Sequence, residues 1–469
     1  MLSSPQSELI KTDTIAAIAS AHGQGAIGVI RISGAGAAGI VKKFFFPLPK
    51  TFESHKMYYG NILDIDEVMI CYFKSPRSFT REDCVEIFCH GGMFVLSQVL
   101  SAVIENGARL AEPGEFTKRA FLNGRINLSQ AEAVMDLISA KSNAASRAAL
   151  RMLGGGLSRR IETARDRILS WLAHIELSID YPEHEEEARN ANEILGEGGA
   201  LISDLRKLCE TVNTGRIIRE GIRTAIIGRP NVGKSTLLNT IMHENRAIVH
   251  ETAGTTRDVL TEEVRVCDIP LVITDTAGLR ETDEAVEKIG IEKTYEAAEN
   301  AELILFVADA TCGITAEDEE IFSVIAARNQ IRHRSSPNLI VLMNKYDLKS
   351  EGLPCARNDD VRGEHINISA KTGEGLDALF ARIKELFLSG SVGNDAAEYD
   401  IITRERHRVL LDAAILHVEK AMGELTQGVP EDLVSVSLRA AYIALGEILG
   451  LEIGDDIVDR IFSEFCVGK

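Results

Sequence analysis

The sequence predicts a multidomain α/β protein. An N-terminal α+β domain spans 1–125, and a discontinuous α-helical domain spans 126–215 and 390–469. A domain built on a parallel-type sheet with flanking helices is inserted between the helical segments, over 216–389. Three observations predict this. The chain has 469 residues, more than one core accommodates at ~100–200 residues per domain. Its texture changes from glycine-rich and strand-like to helical near Arg125, and a helical periodicity that stops near Gly215 resumes at Ile402. Between those segments, short polar motifs follow apolar strands, the pattern of an α/β nucleotide site.

In the first domain, Ala26–Ile32, Val68–Phe73 and Asp83–Phe88 read as strands, and Met93–Glu105 as a helix between turn signals. From Ser129 the pattern is helical, opened by Ser129-Gln130-Ala131-Glu132 as a capping box. A long helix is expected to run to the break at Gly154-Gly155-Gly156. A second follows from Leu157 to Ile179, and a third, weakened by Gly196, Gly198 and Gly199, extends toward Gly215. The acidic stretch Glu183–Glu187 behind Pro182 reads as a solvated first helical turn rather than a metal site. After the inserted domain, Ile402–Met422, Glu431–Leu449 and Asp455–Phe465 read as helices. Helices on both sides of a compact domain are expected to pack together, because the termini of an inserted domain lie close.

A net charge of -19 excludes a general positive field for coating nucleic acid, so any RNA contact is local or shared with a partner. No apolar run approaches a membrane span, and residues Met1–Asp13 lack the order of a secretory signal, so the expected location is the cytoplasm. The cysteines show no CxxC pair, which indicates neither a zinc site nor a disulfide framework.

Gly228-Arg229-Pro230-Asn231-Val232-Gly233-Lys234-Ser235 fits GxxxxGK[ST] behind the apolar strand Thr224–Ile227. Backbone amides of such a loop cradle phosphates. Lys234 reaches the β and γ oxygens, and Ser235 opens a helix while holding magnesium, with Thr236 beside it. Asp275-Thr276-Ala277-Gly278 follows Leu271–Ile273 and places a carboxylate beside the metal. Asn344-Lys345-Tyr346-Asp347 follows Leu339–Met343, and its final carboxylate can accept from both N1-H and the exocyclic amine of guanine. Ser369-Ala370-Lys371, behind a fourth strand, completes the order phosphate, switch, base, base. Together these predict a Ras-like P-loop GTPase domain that uses GTP and magnesium. In Gly254-Thr255-Thr256-Arg257-Asp258, Thr256 is the residue expected to close over magnesium and the γ-phosphate.

Two details bear on hydrolysis. Leu279 stands where Ras-like proteins carry a water-positioning glutamine, so another group, sought in Arg280–Glu287, must orient the water. Asn231 places an amide oxygen where a monovalent cation could sit against the phosphates; capping of the loop is the alternative.

The chain resembles the tRNA-modification GTPase family called MnmE or TrmE. The resemblance rests on GRPNVGKS, AGTTRD, DTAGLRET and NKYD, on Asp13–Ile18 leading into Gly28–Gly34, and on Glu86–Gly92. It rests also on Glu112–Thr117 with Arg119–Gly124, and on the terminal Phe465–Lys469. It covers nearly the whole length and implies a tetrahydrofolate-binding, dimer-forming N-terminal domain. It further implies action with a flavoprotein partner, MnmG or GidA, in a heterotetramer that carries the FAD. That pair installs a carboxymethylaminomethyl-type group at carbon 5 of the wobble uridine of certain tRNAs. The resemblance implies a 5-formyl or 5,10-methylene folate as the one-carbon source.

Carried over, the potassium site falls on Asn231 with His250, Thr252 and Thr255, magnesium on Ser235 and Thr256, and the water-orienting acid on Glu287. Lys234 and Thr256 complete the catalytic set. Folate falls on Arg31, Glu86, Arg125 and Lys469. Arg125 departs from the lysine of some members but keeps the charge. Cys466 near the folate invites a nucleophile reading, against that of a helix-end cysteine held in a pocket; Val467 replaces a familiar isoleucine. The competing expectation is an Era- or Der-like regulatory GTPase of ribosome assembly without modification chemistry.

Overall fold

The computed structural model describes residues 13–21, 23–180, 191–244, 261–274, 298, 300–331, 338–348, 365–388 and 400–468. Contacts divide the chain into two compact units, one of residues 1–135, 152–202 and 410–469, the other of 136–151 and 203–409. Among the described residues, no helix is long and apolar enough to cross a membrane.

The first unit contains a seven-stranded sheet of order β3-β4-β5-β6-β2-β1-β7. Its strands are β1 (Ile15–Ile18), β2 (Ile27–Ser33), β3 (Phe45–Phe46), β4 (Met57–Ile62), β5 (Asp66–Phe73), β6 (Cys84–His90) and β7 (Arg109–Leu110). All neighbours are antiparallel except β1 and β7. The three expected strands are β2, β5 and β6. Their alternation sends Ile30, Ile32, Ile70, Val85 and Ile87 to one face, where Leu96, Val99 and Val103 of helix Met93–Glu105 close the core. Each such buried side chain contributes roughly 1.5–3 kcal/mol relative to exposure. The same period of two sends Arg31 and Glu86 to the opposite face.

The helix expected from Ser129 begins at Leu128, and its capping box lies two residues earlier. The Gln130 amide donates to Asn127 Oδ1 and the Asn127 amide to Gln130 Oε1, both at 3.0 Å. Ser129 and Glu132 satisfy the same sequence pattern but are buried, and Ser129 instead donates to Asn127 Oδ1. Nor does one helix reach the glycine triplet: it stops at Ile138, and a new helix, Asn143–Leu153, starts behind Ser142. Helix Gly156–Asp180 packs along helix Glu431–Leu449, the contact expected between the two helical segments.

Helix Ala191–Glu210 is not simply weakened by its glycines. A Cβ on Gly198 would lie 2.2 Å from Met422 Sδ, so this residue permits a close crossing, whereas Gly196 and Gly199 face open space. A further helix, Val212–Glu220, continues past Gly215, where a Cβ would sit 1.9 Å from the Ile402 carbonyl oxygen. Ile402 itself is not helical; its amide donates to Thr211 Oγ1, and the helix expected from it spans Glu405–Thr426. The last helix, Asp455–Ser463, ends two residues early.

The second unit holds a six-stranded sheet of order β13-β12-β11-β8-β10-β9. These are β8 (Ile222–Ile227), β9 (Thr261–Val266), β10 (Ile269–Thr274), β11 (Leu303–Asp309), β12 (Asn338–Asn344) and β13 (His365–Asn367). Every pair is parallel except the edge hairpin β9–β10. Apolar side chains cover both faces, as parallel strands require. Strand order reverses at β8, so the crevice beyond its carboxyl end is the topological switch point. The loop that starts at Gly228 opens there.

Candidate functional site

The phosphate loop gets its shape from backbone conformations that few residues adopt. Gly228, Asn231 and Gly233 have φ of 152°, 62° and 99°, and the loop runs directly into helix Lys234–Glu244, whose first amides form an anion-binding end. Lys234 Nζ donates to the carbonyl oxygens of Gly228 and Arg229, both at 2.8 Å, so the ammonium spans the loop. Burial pulls it down to about 8. Asn231 is exposed on the rim, Val232 is buried below it, and Ser235 and Thr236 occupy the first helical turn.

Asn344, at the end of β12, is buried and clamps two loops. Its Nδ2 donates to the Val232 carbonyl at 2.7 Å, and its Oδ1 accepts from the Ala370 amide at 2.8 Å. A Cβ on Gly233 would come within 2.3 Å of that Nδ2, which explains glycine there. Lys345 adopts a left-handed φ of 63° and pairs with Asp309 at 2.6 Å. Burial pushes the Asp309 carboxyl up, but Lys345 and Thr311 more than offset this, leaving it below the usual carboxylate range. Asp347 is exposed on the turn Tyr346–Leu348. Ser369 is buried, Lys371 is exposed, and Thr240 of the phosphate-loop helix donates to the Ala370 carbonyl. The loop and the two base motifs therefore converge on one end of the sheet.

Arg229, an unremarked position of the loop, is anchored by Asp318, whose carboxylate accepts Arg229 Nε at 2.9 Å. Asp318 also caps helix Ala316–Ile331 through the Thr315 amide and hydroxyl. His250, Thr252, Thr255, Thr256, Asp275, Thr276, Ala277, Gly278, Leu279 and Glu287 lie outside the described residues, as do Lys469 and the acidic stretch Glu183–Glu187.

A second constellation lies in the first unit. Arg31 and Glu86 are register partners on β2 and β6, and Arg31 Nε and Nη2 both contact Glu86 Oε1, at 2.9 and 2.8 Å. That leaves Oε2 for another donor. The Arg31 guanidinium lies 5.0 Å from the Phe79 ring centroid and the Arg125 guanidinium 4.8 Å from the same ring. Burial, with the like charges of Arg31 and Arg81, pulls Arg125 below its ordinary value.

The segment carrying Phe79 is held from behind. Arg125 and Asn123 donate to the carbonyls of Phe79 and Thr80. Arg119 bridges Glu82, Asp13 and Glu115, and Arg109 adds a second pair of bonds to Asp13 and Glu115. The guanidiniums hold both Asp13 and Glu115 below the usual range; for Asp13 the Arg109 bond is the largest influence, whereas for Glu115 they outweigh an upward push from burial. The C-terminal tail joins this domain: the Gly114 amide donates to the Cys466 carbonyl at 3.3 Å, and Gly468 abuts the Ile18 carbonyl. Cys466 is exposed.

Sequence reasoning missed Phe79, Glu82 and Arg109, and quoted Arg119 only as part of a motif. The signal available for Arg119 was its place in Glu115–Leu122, a short helix whose charged residues face inward.

A parallel sheet with this strand order, a glycine-rich loop at its switch point and an Asn-Lys-x-Asp turn beside it define a P-loop guanine-nucleotide hydrolase. A family model for the MnmE helical domain matches residues 128–466, and one for the GTP-binding protein TrmE N-terminus matches 14–125. A tRNA modification GTPase MnmE of Acetivibrio thermocellus is 45% identical over 470 residues, covering 98% of this chain and all of that protein. Its counterpart in Enterococcus faecalis is 42% identical, covering 99% of this chain and all of that protein. A solved structure of Era with MgGDPNP and ribosomal RNA is 30% identical over 42% of this chain and 65% of that one, with a TM-score of 0.26. The chain belongs to the tRNA modification GTPase MnmE family, and the ribosome-assembly reading is not favoured.

Proposed function

We propose that the chain uses GTP hydrolysis to drive a folate-dependent modification of the wobble uridine of certain tRNAs, installing a carboxymethylaminomethyl-type group at carbon 5 together with an FAD-bearing MnmG-like partner. The observation that carries this is the meeting of Arg31, Glu86 and Arg125 around Phe79 on one sheet face. A carboxylate oxygen suits the donor edge of a pterin, and guanidiniums suit a glutamate tail. Gly468 abuts Ile18, next along β1 from Ala17, the register partner of Arg31. The tail thus runs beside the strand that neighbours Arg31, which supports assigning Lys469, the residue after Gly468, as a further cation for the folate. Bound tetrahydrofolate, in its 5-formyl or 5,10-methylene form, supplies the one-carbon unit. Cys466, exposed beside that tail, is the candidate nucleophile.

In this reading residues 1–125 form the folate and dimer domain, 126–215 and 390–469 the helical domain, and 216–389 the inserted GTPase domain. On the outer face of the first sheet the exposed Tyr59 and Met69 and the half-buried Phe88 are successive register partners, which supports a homodimer through that domain. At the GTP site Lys234 binds the phosphates, Ser235 and Thr256 hold magnesium, and Asp347 reads guanine. Asn231 with His250, Thr252 and Thr255 holds potassium, and Glu287 orients the water that Leu279 cannot. The site works in the cytoplasm.

The test is a calorimetric titration of the full-length protein with 5-formyltetrahydrofolate. Binding is expected for the wild type and should weaken by about tenfold or more in Glu86→Gln, which loses a charge-assisted pair worth ~1.5–3 kcal/mol. No binding by the wild type would contradict the folate reading and leave the GTPase standing.

A further inference from the structure

The β9–β10 hairpin ends in a two-residue turn, Cys267-Asp268, with Val266 paired to Ile269. Both turn residues have positive φ, 48° and 67°, a conformation for which hairpins favour Asn-Gly. Cysteine gains nothing from it, but the turn aims Asp268 at the start of helix Asn143–Leu153. The two carboxylate oxygens accept the Asn143 amide at 2.9 Å and the Ala144 amide at 2.8 Å. Ser142 Oγ accepts the next amide, that of Ala145, at 3.1 Å. Two of the orphan amides of this helix are thus satisfied by a different element, with a negative charge at the positive end of the dipole. A second tie on the same hairpin joins Glu263 of β9 to Lys141.

Three features make this more than a cap. The hairpin is the structured link between two segments that the proposed GTP site requires: Asp258 ends one three residues before β9, and Asp275 follows β10 directly. Its inner side chains, Val264, Val266, Ile269 and Leu271, are buried in the sheet core, so the two strands and their turn are held as one piece. The helix it caps meets the protein through small side chains. Its inner face is Ala145, Ala148 and Ala149; Ala145 packs in a cluster with Ile218 and Ile401, and a small cavity beside it is lined by Ala148, Ala149 and Thr403. Small side chains interdigitate less than large ones, so a shift of this helix disturbs less packing.

We propose that Asp268 is a positioning residue for GTP turnover: through it, the hairpin between the two nucleotide-contacting segments sets how firmly helix Asn143–Leu153 is capped, and the helix in turn biases the nucleotide state. The inference rests on the GTP-site reading of the flanking segments. Coupling of this kind is reciprocal. A cap that differs between nucleotide states must change the ratio of GTP to GDP affinity when removed, whereas a passive cap leaves that ratio alone.

The experiment uses the full-length protein with GDP or a non-hydrolysable GTP analogue, and reads amide hydrogen exchange over 143–146 together with both affinities. In the wild type, exchange should differ between the two states by about fivefold. Asp268→Asn should abolish that difference and shift the affinity ratio by about fivefold, with exchange in β8 and β11 unchanged as the check on folding. Glu263→Gln, which keeps the tip intact, should produce a smaller shift in the same direction. Equal exchange in the two states of the wild type with both nucleotides bound, or an unchanged ratio in Asp268→Asn, would overturn the proposal while sparing the GTP site. Failure of the wild type to bind the analogue would overturn both.

Discussion

Lys234 shows how one residue's environment makes a testable function. Burial takes its ammonium from an ordinary 10.5 to about 8, so the folded chain loses that proton at a pH where the unfolded chain keeps it. Between those values folding stability rises with pH, because the unfolded state binds more protons. Phosphate binding has the opposite sign, since it requires the ammonium. GTP affinity, measured by fluorescence titration from pH 7 to 9, is therefore expected to hold steady at first and then fall above about pH 8, approaching tenfold per unit. A flat profile would mean that the ammonium is not at the phosphates. The identity of this lysine was legible in the sequence because a short loop fixes its own geometry. The partners of Arg229 and Arg31 were only half legible: Glu86 could be named, but Asp318 and Phe79 are joined to them through space, with no spacing rule to reveal them.

At the scale of elements, the strands that precede motifs were readable, whereas β11 was not. It is the apolar run Leu303–Asp309, buried on nearly every residue, and it carries no motif to draw attention. The misplaced capping box has a physical cause too. Asn127-x-x-Gln130 and Ser129-x-x-Glu132 both fit the pattern, and burial of Ser129 decides between them. The short helix Glu115–Leu122 departs most from expectation, because Glu115 and Arg119 point into the protein. Their ion network with Asp13, Glu82 and Arg109 fixes the Phe79 segment. Breaking a buried network by removing one member leaves charges uncompensated, at about 3–5 kcal/mol. Arg119→Met should lower the melting temperature accordingly, in calorimetry at neutral pH. It should also flatten the acid dependence: carboxyls held low in the folded state stabilise fully above their ordinary range and lose that contribution as pH falls through the lower folded values. A variant as stable and as acid-sensitive as the wild type would show that the network contributes nothing.

For the molecule as a whole, the two sheets embody different chemistry. One gathers phosphate and base motifs at a topological switch point; the other sets a carboxylate and guanidiniums around an aromatic ring. Family membership joins them in tRNA modification, and the proposal assigns the folate step to the first sheet and the GTP-driven step to the second. The measurement that tests this most directly is mass spectrometry of wobble uridines in tRNA from cells lacking the protein. The account predicts bare uridine at positions modified in the parent strain, restored by the wild-type chain and not by Lys234→Ala or Glu86→Gln. Unchanged modification in the deletion strain, or full restoration by both variants, would contradict it.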